Sequence, residues 1–171
     1  MDFAAAKIFG KKINSKNSRV KILGIDPGTA TTGFAIIEKS AGKIAALDFG
    51  IISTKANISA AERLLEISEN VAQLLELHRP DLAAIESLFF CKNQTTAFAV
   101  AQSRGVVLAE IARFGIPIVE LTPPQVKMAA TGSGRADKKQ VQKMVQKIFA
   151  LEQIPQPDDA ADALAVALAA S

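Results

Sequence analysis

Three consecutive strand-like segments constrain the fold of this chain more than any other feature. Residues 20–25 form a short β-branched run that ends at Asp-Pro-Gly, and residues 33–38 follow after that turn. Residues 43–53 form a third apolar segment, which is introduced by the turn at Ala41-Gly42. We expect the first two segments to pair as a hairpin, because such short turns join antiparallel strands. Three successive strands therefore open the domain.

Helical and strand patterns alternate after this opening. Residues 60–77 carry leucine, isoleucine and valine at helical spacing, preceded by Ser59 and stopped by Pro80. The remaining patterns predict strands at 82–85 and 116–121, and helices at 95–114, 124–130, 137–150 and 158–170. A chain of 171 residues has room for one ordinary domain. The order of elements predicts an α/β fold, a five-stranded mixed sheet with helices on both faces.

Composition excludes several classes of protein and site. No stretch approaches the roughly 18 uncharged apolar residues of a membrane span. One cysteine, Cys91, cannot close an internal disulfide, which is compatible with the reducing cytoplasm. Cys91 and the one histidine, His78, cannot supply a zinc tetrad. We therefore predict a cytoplasmic protein with no membrane partner, in which any metal is held by carboxylates.

Positive charge is concentrated in two parts of the sequence. Residues 1–19 carry a net charge of +4 and are predicted to form a flexible basic N-terminal extension. Residues 121–150 carry +5, and Lys139, Lys143 and Lys147 recur every four residues, which places them in one stripe along a helix. Such a patch suits a polyanionic partner, although a solvated helix face gives the same pattern.

Four carboxylates fall where burial alone would not place them. Asp26 and Glu86 follow two apolar strands directly, and Asp159 and Asp162 are three residues apart on one face of the last helix. Ligands of such sheets collect at the carboxyl ends of the central strands. Converging carboxylates repel one another unless a hard cation neutralises them, and oxygen-only ligands favour Mg²⁺ or Mn²⁺. Two such ions, about 3.5–4 Å apart, can activate a water and stabilise the leaving oxygen of a phosphodiester.

Each carboxylate also has a purely structural interpretation. Asp26 stands before Pro-Gly, where aspartate is a common turn residue. Glu86 could be a surface residue that ends its strand, and Asp158 or Asp159 could be the N-cap of the last helix.

Three glycines, Gly24, Gly28 and Gly33, frame the first hairpin. We interpret them as turn residues, because glycine adopts positive φ without steric cost. The segment Ile25-Asp26-Pro27-Gly28-Thr29 also looks like the phosphate loop of sugar kinases and actin-like ATPases. Those proteins usually need two such domains and several hundred residues, so an ATP-binding domain is the weaker alternative.

Four separated motifs resemble the RuvC family of bacterial Holliday junction resolvases, in the right order and over about Val20 to Ala170. They are Leu-Gly-Ile-Asp-Pro-Gly at 23–28, Ala-Ile-Glu at 84–86 with Phe89 and Lys92-Asn93, Gln-Val-Lys at 125–127, and Asp-Ala-Ala-Asp-Ala-Leu-Ala at 159–165. The resemblance implies a ribonuclease-H-like nuclease domain at 20–171. It also implies a catalytic, metal-binding tetrad of Asp26, Glu86, Asp159 and Asp162, with two Mg²⁺ ions for which Mn²⁺ can substitute. The basic extension departs from the family, in which the first strand begins almost at once.

The resemblance also suggests which side chains contact DNA. Phe89 matches the residue that wedges into the junction point, although core packing is an alternative for this side chain. Lys127 and Lys138 match basic residues that sit beside the metal site. The full predicted DNA-binding set is Phe89, Lys92, Asn93, Lys127, Arg135, Lys138, Lys139, Lys143 and Lys147.

These features together predict a structure-selective endonuclease of DNA recombination and repair. It would resolve four-way DNA junctions by paired symmetric nicks, and a substrate with two-fold character calls for a homodimer. The resemblance adds a branch-migration complex of RuvA and RuvB as partner. A module that binds branched DNA without cutting it is the main alternative.

Overall fold

A five-stranded mixed sheet forms the centre of the molecule, as the sequence predicts. The computed structural model describes residues 19–87 and 94–171. The spatial order of the strands is β3-β2-β1-β4-β5. Strands β1, β2 and β3 pair antiparallel, whereas β4 runs parallel to both β1 and β5. The strand bounds are β1 Val20–Asp26, β2 Thr31–Ser40, β3 Lys43–Ser53, β4 Leu82–Glu86 and β5 Ile118–Leu121.

Helices cover both faces of the sheet. The alternation of side chains along β1 separates two cores, with Leu23 packed on the face of α1 and α2 and Ile22 on the face of α3, α4 and α5. In the part of the chain that the structure describes, no helix is both long and apolar enough to cross a bilayer. The helix bounds are α1 Ala60–His78, α2 Gln94–Arg113, α3 Pro123–Thr131, α4 Lys138–Ile148 and α5 Asp158–Ala169.

Most strand and helix bounds differ from the prediction by one or two residues. Strand β1 includes Asp26 and β4 includes Glu86, so both carboxylates are the last residues of strands rather than the first residues after them. Strand β5 begins at Ile118 instead of 116. Pro117 has no amide hydrogen to donate to the neighbouring strand, so regular pairing begins after it. Its carbonyl oxygen still accepts a hydrogen bond from the amide of Ala83 at 2.9 Å.

The start of α5 corrects the interpretation of its first aspartates. Capping boxes begin α1 at Ser59 and α4 at Asp137, but the N-cap of α5 is Pro157, and no side chain caps this helix. The N-cap interpretation of Asp158 and Asp159 is therefore wrong. Both residues lie in the first turn of α5, and their carboxylate oxygens do not cap the helix. These oxygens can therefore bind other groups.

The three glycines of the first hairpin also need a different explanation. None of Gly24, Gly28 and Gly33 has a positive φ, so the expected reason for glycine is wrong at all three positions. Gly28 does lie in the turn between β1 and β2, whereas Gly24 and Gly33 are strand residues. A Cβ on Gly24 would overlap the carbonyl oxygen of Ala163, and a Cβ on Gly33 would overlap that of Asp159. These two glycines therefore let α5 pack directly on the backbones of β1 and β2.

Candidate active site

Parallel pairing of β1 and β4 brings two of the predicted carboxylates to the same edge of the sheet. Gly24 pairs with Ala84 across these strands. Asp26 and Glu86 each lie two residues further along, so both are on the face of the sheet that α5 covers. They stand at the carboxyl ends of neighbouring parallel strands, where ligands of α/β sheets bind.

Helix α5 brings the other two carboxylates to this edge. Asp26 pairs with Gly33 across β1 and β2, and Gly33 is the position where Asp159 approaches the strand. Carboxylate oxygens of Asp26, Asp159 and Asp162 lie within 4.8 Å of one another. We call these three residues the aspartate cluster. Glu86 is not part of this close group, but its charge acts on Asp26.

Burial and mutual repulsion perturb the acidity of this site. Burial, followed by the charges of Asp162, Glu86 and Asp159, raises the pKa of Asp26 from 3.8 to about 7. Burial also raises the pKa of Glu86, and the charge of Asp162 adds to this increase. The pKa of Asp162 is likewise raised, mainly by burial and in spite of Lys138. The folded protein thus holds the aspartate cluster at a cost in electrostatic free energy.

Two lysines supply positive charge beside the carboxylates. The Nζ atom of Lys138 lies 2.9 Å from Oδ2 of Asp162 and 3.4 Å from Oδ2 of Asp158. Burial acts to lower the pKa of Lys138, but its bonds to these two carboxylates raise it overall. The charge of Lys127 lowers the pKa of Glu86 against the effect of burial. Lys138 therefore flanks the aspartate cluster, and Lys127 acts on Glu86 beside it.

The donor set of the site fits a hard divalent cation. The grouped ligand atoms are carboxylate oxygens from three residues of intermediate burial, and Glu86 offers a fourth carboxylate nearby. Oxygen ligands of this kind suit Mg²⁺ or Mn²⁺. A bound cation would also relieve the repulsion that raises the pKa of Asp26.

The remaining predicted DNA-binding residues fall into two groups. Arg135 and the lysine stripe, Lys139, Lys143 and Lys147, are exposed, with the stripe on α4 outside the buried Val141 and Val145. The predicted wedge Phe89 and its neighbours Lys92 and Asn93 lie outside the described residues.

Sequence reasoning missed three residues that touch the site. The hydroxyl of Thr31 donates a hydrogen bond to Oδ2 of Asp159 at 2.6 Å. Arg104 on α2 donates from Nε to the carbonyl oxygen of Glu86 at 3.3 Å and pairs with Glu120 on β5. Asp158 shares Lys138 with Asp162. Thr31 stands two residues before Gly33 and so on the same strand face, which is the one signal the sequence offers for it.

Comparisons with known proteins agree with this geometry. The family model described as crossover junction endodeoxyribonuclease RuvC matches residues 22–170. The RuvC endonuclease of Syntrophomonas wolfei is 52% identical over 149 residues, 87% of each chain. That of Thermosipho melanesiensis is 50% identical over 148 residues, 86% of this chain and 94% of the relative.

Solved structures give the same result. The structure of T. thermophilus RuvC in complex with Holliday junction substrate matches with a TM-score of 0.82 and 35% identity, over 88% of this chain and 92% of the other. The yeast mitochondrial Holliday junction resolvase shares the fold, with a TM-score of 0.65 and 12% identity over 91% of this chain and 79% of the other. The described chain therefore has the ribonuclease-H-like fold of these resolvases, and it belongs to the crossover junction endodeoxyribonuclease RuvC family.

Proposed function

We propose that this protein is a crossover junction endodeoxyribonuclease that resolves Holliday junctions by paired symmetric nicks. The observation that carries the proposal is the aspartate cluster under α5, beside Glu86 and flanked by Lys138. Carboxylates so close together suit a site for divalent cations, and the adjacent lysines suit a phosphate substrate. The family of the chain supports DNA junctions as the substrate class.

Asp26, Glu86, Asp159 and Asp162 would hold two Mg²⁺ ions, for which Mn²⁺ can substitute. When bound, such ions activate a water and stabilise the leaving oxygen of the phosphodiester. The chain positions the substrate around them: Lys138 and Lys127 contribute positive charge at the phosphate under attack. The expected products carry 5′-phosphate and 3′-hydroxyl ends.

A basic surface beside the site would hold the arms of the junction. The lysine stripe and Arg135 are exposed on and before α4, and α4 packs against α5, which carries two carboxylates of the tetrad. Contacts of this type go to the phosphate backbone and fix the position of DNA without reading its sequence. Lys92 and Asn93 are proposed as further phosphate contacts.

The proposed assembly follows from the symmetry of the substrate. A four-way junction has two-fold character, so two symmetric nicks require two copies of the site, and we propose a homodimer, which sedimentation of the free protein would detect. A branch-migration complex of RuvA and RuvB is the proposed partner in recombination and repair. Chromosomal DNA as substrate implies action in the cytoplasm.

The decisive experiment separates cutting from binding. Asp26→Asn, Glu86→Gln, Asp159→Asn and Asp162→Asn should each lose cleavage of a labelled synthetic four-way junction in Mg²⁺, because each removes a charged metal ligand. All four variants should still bind the junction in a gel-shift assay, since the basic surface is intact. A linear duplex serves as the substrate control.

Glu76→Gln provides the matched control, because Glu76 is exposed on α1, on the opposite face of the sheet. It should cut like the unaltered protein. Asp158→Asn is less suitable, since Asp158 shares Lys138 with Asp162. Full cleavage by any tetrad variant would remove that residue from the site. An unaltered protein that binds the junction and never cuts it would favour the binding-module alternative.

Phe89 is proposed to stack on bases that open at the crossover. Stacking on one base contributes roughly 1–3 kcal/mol, which is enough to favour an opened junction over continuous duplex about tenfold. Phe89→Ala should therefore keep its melting temperature and lose most junction cleavage. A large fall in melting temperature would instead identify Phe89 as a core residue, because truncation of a buried phenylalanine costs about 3–5 kcal/mol.

A further inference from the structure

We infer that Thr31 is a positioning residue that fixes the Asp159 carboxylate for cation binding. Its hydroxyl donates to Oδ2 of Asp159 at 2.6 Å, across 128 positions of sequence. This inference rests on the proposed role of Asp159 as a metal ligand and goes beyond the tetrad itself.

Two members of the aspartate cluster are held by different donors. Asp162 accepts from the ammonium group of Lys138, whereas Asp159 accepts from the neutral hydroxyl of Thr31. A hydroxyl fixes the orientation of a carboxylate without competing for the site as a cation would. This bond engages Oδ2 of Asp159, and a carboxylate has a second oxygen that can serve as a cation ligand.

The backbone around Thr31 makes this donor rigid. Thr31 is the first residue of β2, and the tight turn before it is fixed by bonds from Thr32 Oγ1 to the carbonyl of Gly28 and from the amide of Thr54 to the carbonyl of Ala30. A Cβ on Gly28 would overlap the carbonyl oxygen of Thr31, so the backbones of Gly28 and Thr31 pack closely within this turn. The branched side chain of threonine adds stiffness at χ1.

Strand β2 also brings Asp159 to the hydroxyl. Gly33 lies two residues after Thr31 on the same face, and its missing side chain leaves space for the backbone of Asp159. The close approach at Gly33 and the hydrogen bond at Thr31 are thus two parts of one contact between β2 and the first turn of α5. Partners that orient metal ligands in this way commonly contribute substantially to metal affinity.

The test measures binding of Mn²⁺ to the full chain without DNA, by calorimetry or by electron paramagnetic resonance of the free ion. Thr31→Val keeps the shape and removes the hydroxyl, so it should weaken Mn²⁺ binding by about 10- to 100-fold. Thr31→Ser keeps the donor and should restore most of the affinity. Junction cleavage by Thr31→Val should then need more Mn²⁺ to reach its maximum.

Thr54→Val is the matched control, since Thr54 contacts the same turn at the carbonyls of Thr29 and Ala30 and touches no member of the cluster. It should bind Mn²⁺ as the unaltered protein does. Equal losses in Thr54→Val and Thr31→Val would mean general damage to the turn and would overturn the inference.

Asp159→Asn separates this inference from the proposed function. If Asp159→Asn loses Mn²⁺ binding while Thr31→Val keeps it, the positioning role of Thr31 is wrong and the metal site stands. If Asp159→Asn binds Mn²⁺ normally, Asp159 is not a ligand and both proposals about it fail.

Discussion

Among single residues, the carboxylates of the site repel one another, and a bound cation would relieve this repulsion. The pKa of Asp26 is raised to about 7 by burial and by three neighbouring carboxylates. Such strain is common where function requires an arrangement that stability alone would not select. Lys138 offsets part of it by pairing with Asp162. The stability of the metal-free protein should therefore depend on pH through the carboxyl group of Asp26.

The stability of the metal-free protein, measured in the presence of a chelator, should depend on pH through Asp26. Between pH 3.8 and about 7, the folded protein holds a proton on Asp26 that the unfolded chain has lost. The free energy of unfolding therefore falls as pH rises through this window, by up to about 1.4 kcal/mol per unit of pKa shift. Asp26→Asn lacks this contribution, so its stability relative to the unaltered protein should increase from pH 4 to pH 7.

Urea unfolding of both proteins in EDTA at several pH values measures this difference. Saturating Mg²⁺ should reduce it, since the cation replaces the proton in the unaltered protein. Parallel pH profiles of the two proteins would show that Asp26 keeps an ordinary acidity.

At the scale of elements, the packing of α5 on the sheet decides whether the site exists. Gly24 and Gly33 remove side chains from β1 and β2 where the helix crosses them. On the helix side, small residues allow the same close approach, and the buried ones are Ala160, Ala161, Ala163, Ala165 and Ala167. Asp159 and Asp162 belong to this helix, so their distance from Asp26 depends on how closely α5 packs on the sheet.

Gly24→Ala tests this packing. The added Cβ would meet the backbone of α5 at Ala163 and Ala167, which cannot rotate away as a side chain can. We expect the free energy of unfolding to fall by about 1–3 kcal/mol, and junction cleavage to fall with it as α5 moves off β1. Chemical denaturation and the cleavage assay measure the two effects.

Gly105→Ala is the control for the loss of a glycine. Gly105 lies within α2, and a Cβ there meets nothing within 4 Å. Alanine is the better helix former by about 1 kcal/mol, so this variant should be as stable as the unaltered protein or more so. A Gly24→Ala protein of equal stability would mean that α5 can shift at little cost.

In the whole molecule, a cluster of carboxylates and a row of lysines lie on two neighbouring helices. The acidic site lies where β1 meets α5, and the lysine stripe lies on the exposed side of α4, the helix that packs against α5. Within a net charge of only +3, this arrangement concentrates positive charge on one helix. Polyanions would be drawn to the molecule there rather than over its whole surface.

Replacement of Lys139, Lys143 and Lys147 by alanine should weaken junction binding and flatten its dependence on salt. Each lost phosphate contact lowers the slope of log K against log salt by roughly 0.9 on duplex DNA. Lys39→Ala with Lys43→Ala is the control, because these lysines lie near the β2–β3 turn, at the opposite end of β2 from Gly33 and the carboxylates. A triple variant with an unchanged slope would reduce the stripe to a solvated helix face.

The strands and helices of this fold can be predicted from the sequence, whereas contacts between distant segments cannot. Alternating and helical periodicity, with signals such as Ser59 and Pro80, predicts every strand and helix to within a few residues, because these patterns reflect burial on one face. The role of Gly24 depends on α5, which lies about 140 residues further along the chain. The hydrogen bond of Thr31 depends on the same helix, because its acceptor is Asp159. Arg104 likewise binds a carbonyl oxygen, and a backbone acceptor leaves no trace in residue type.

The position of α5 in the chain has a consequence for synthesis of the protein. All five strands precede α5, so a ribosome exposes Asp26 and Glu86 long before Asp159 and Asp162 emerge. A nascent chain can build much of the sheet while it still lacks half of the proposed tetrad, and contacts between such distant segments form late in folding. With the tetrad proposed above, the growing polypeptide would carry no complete cutting site, and the cell's DNA would meet a competent nuclease only after α5 has docked.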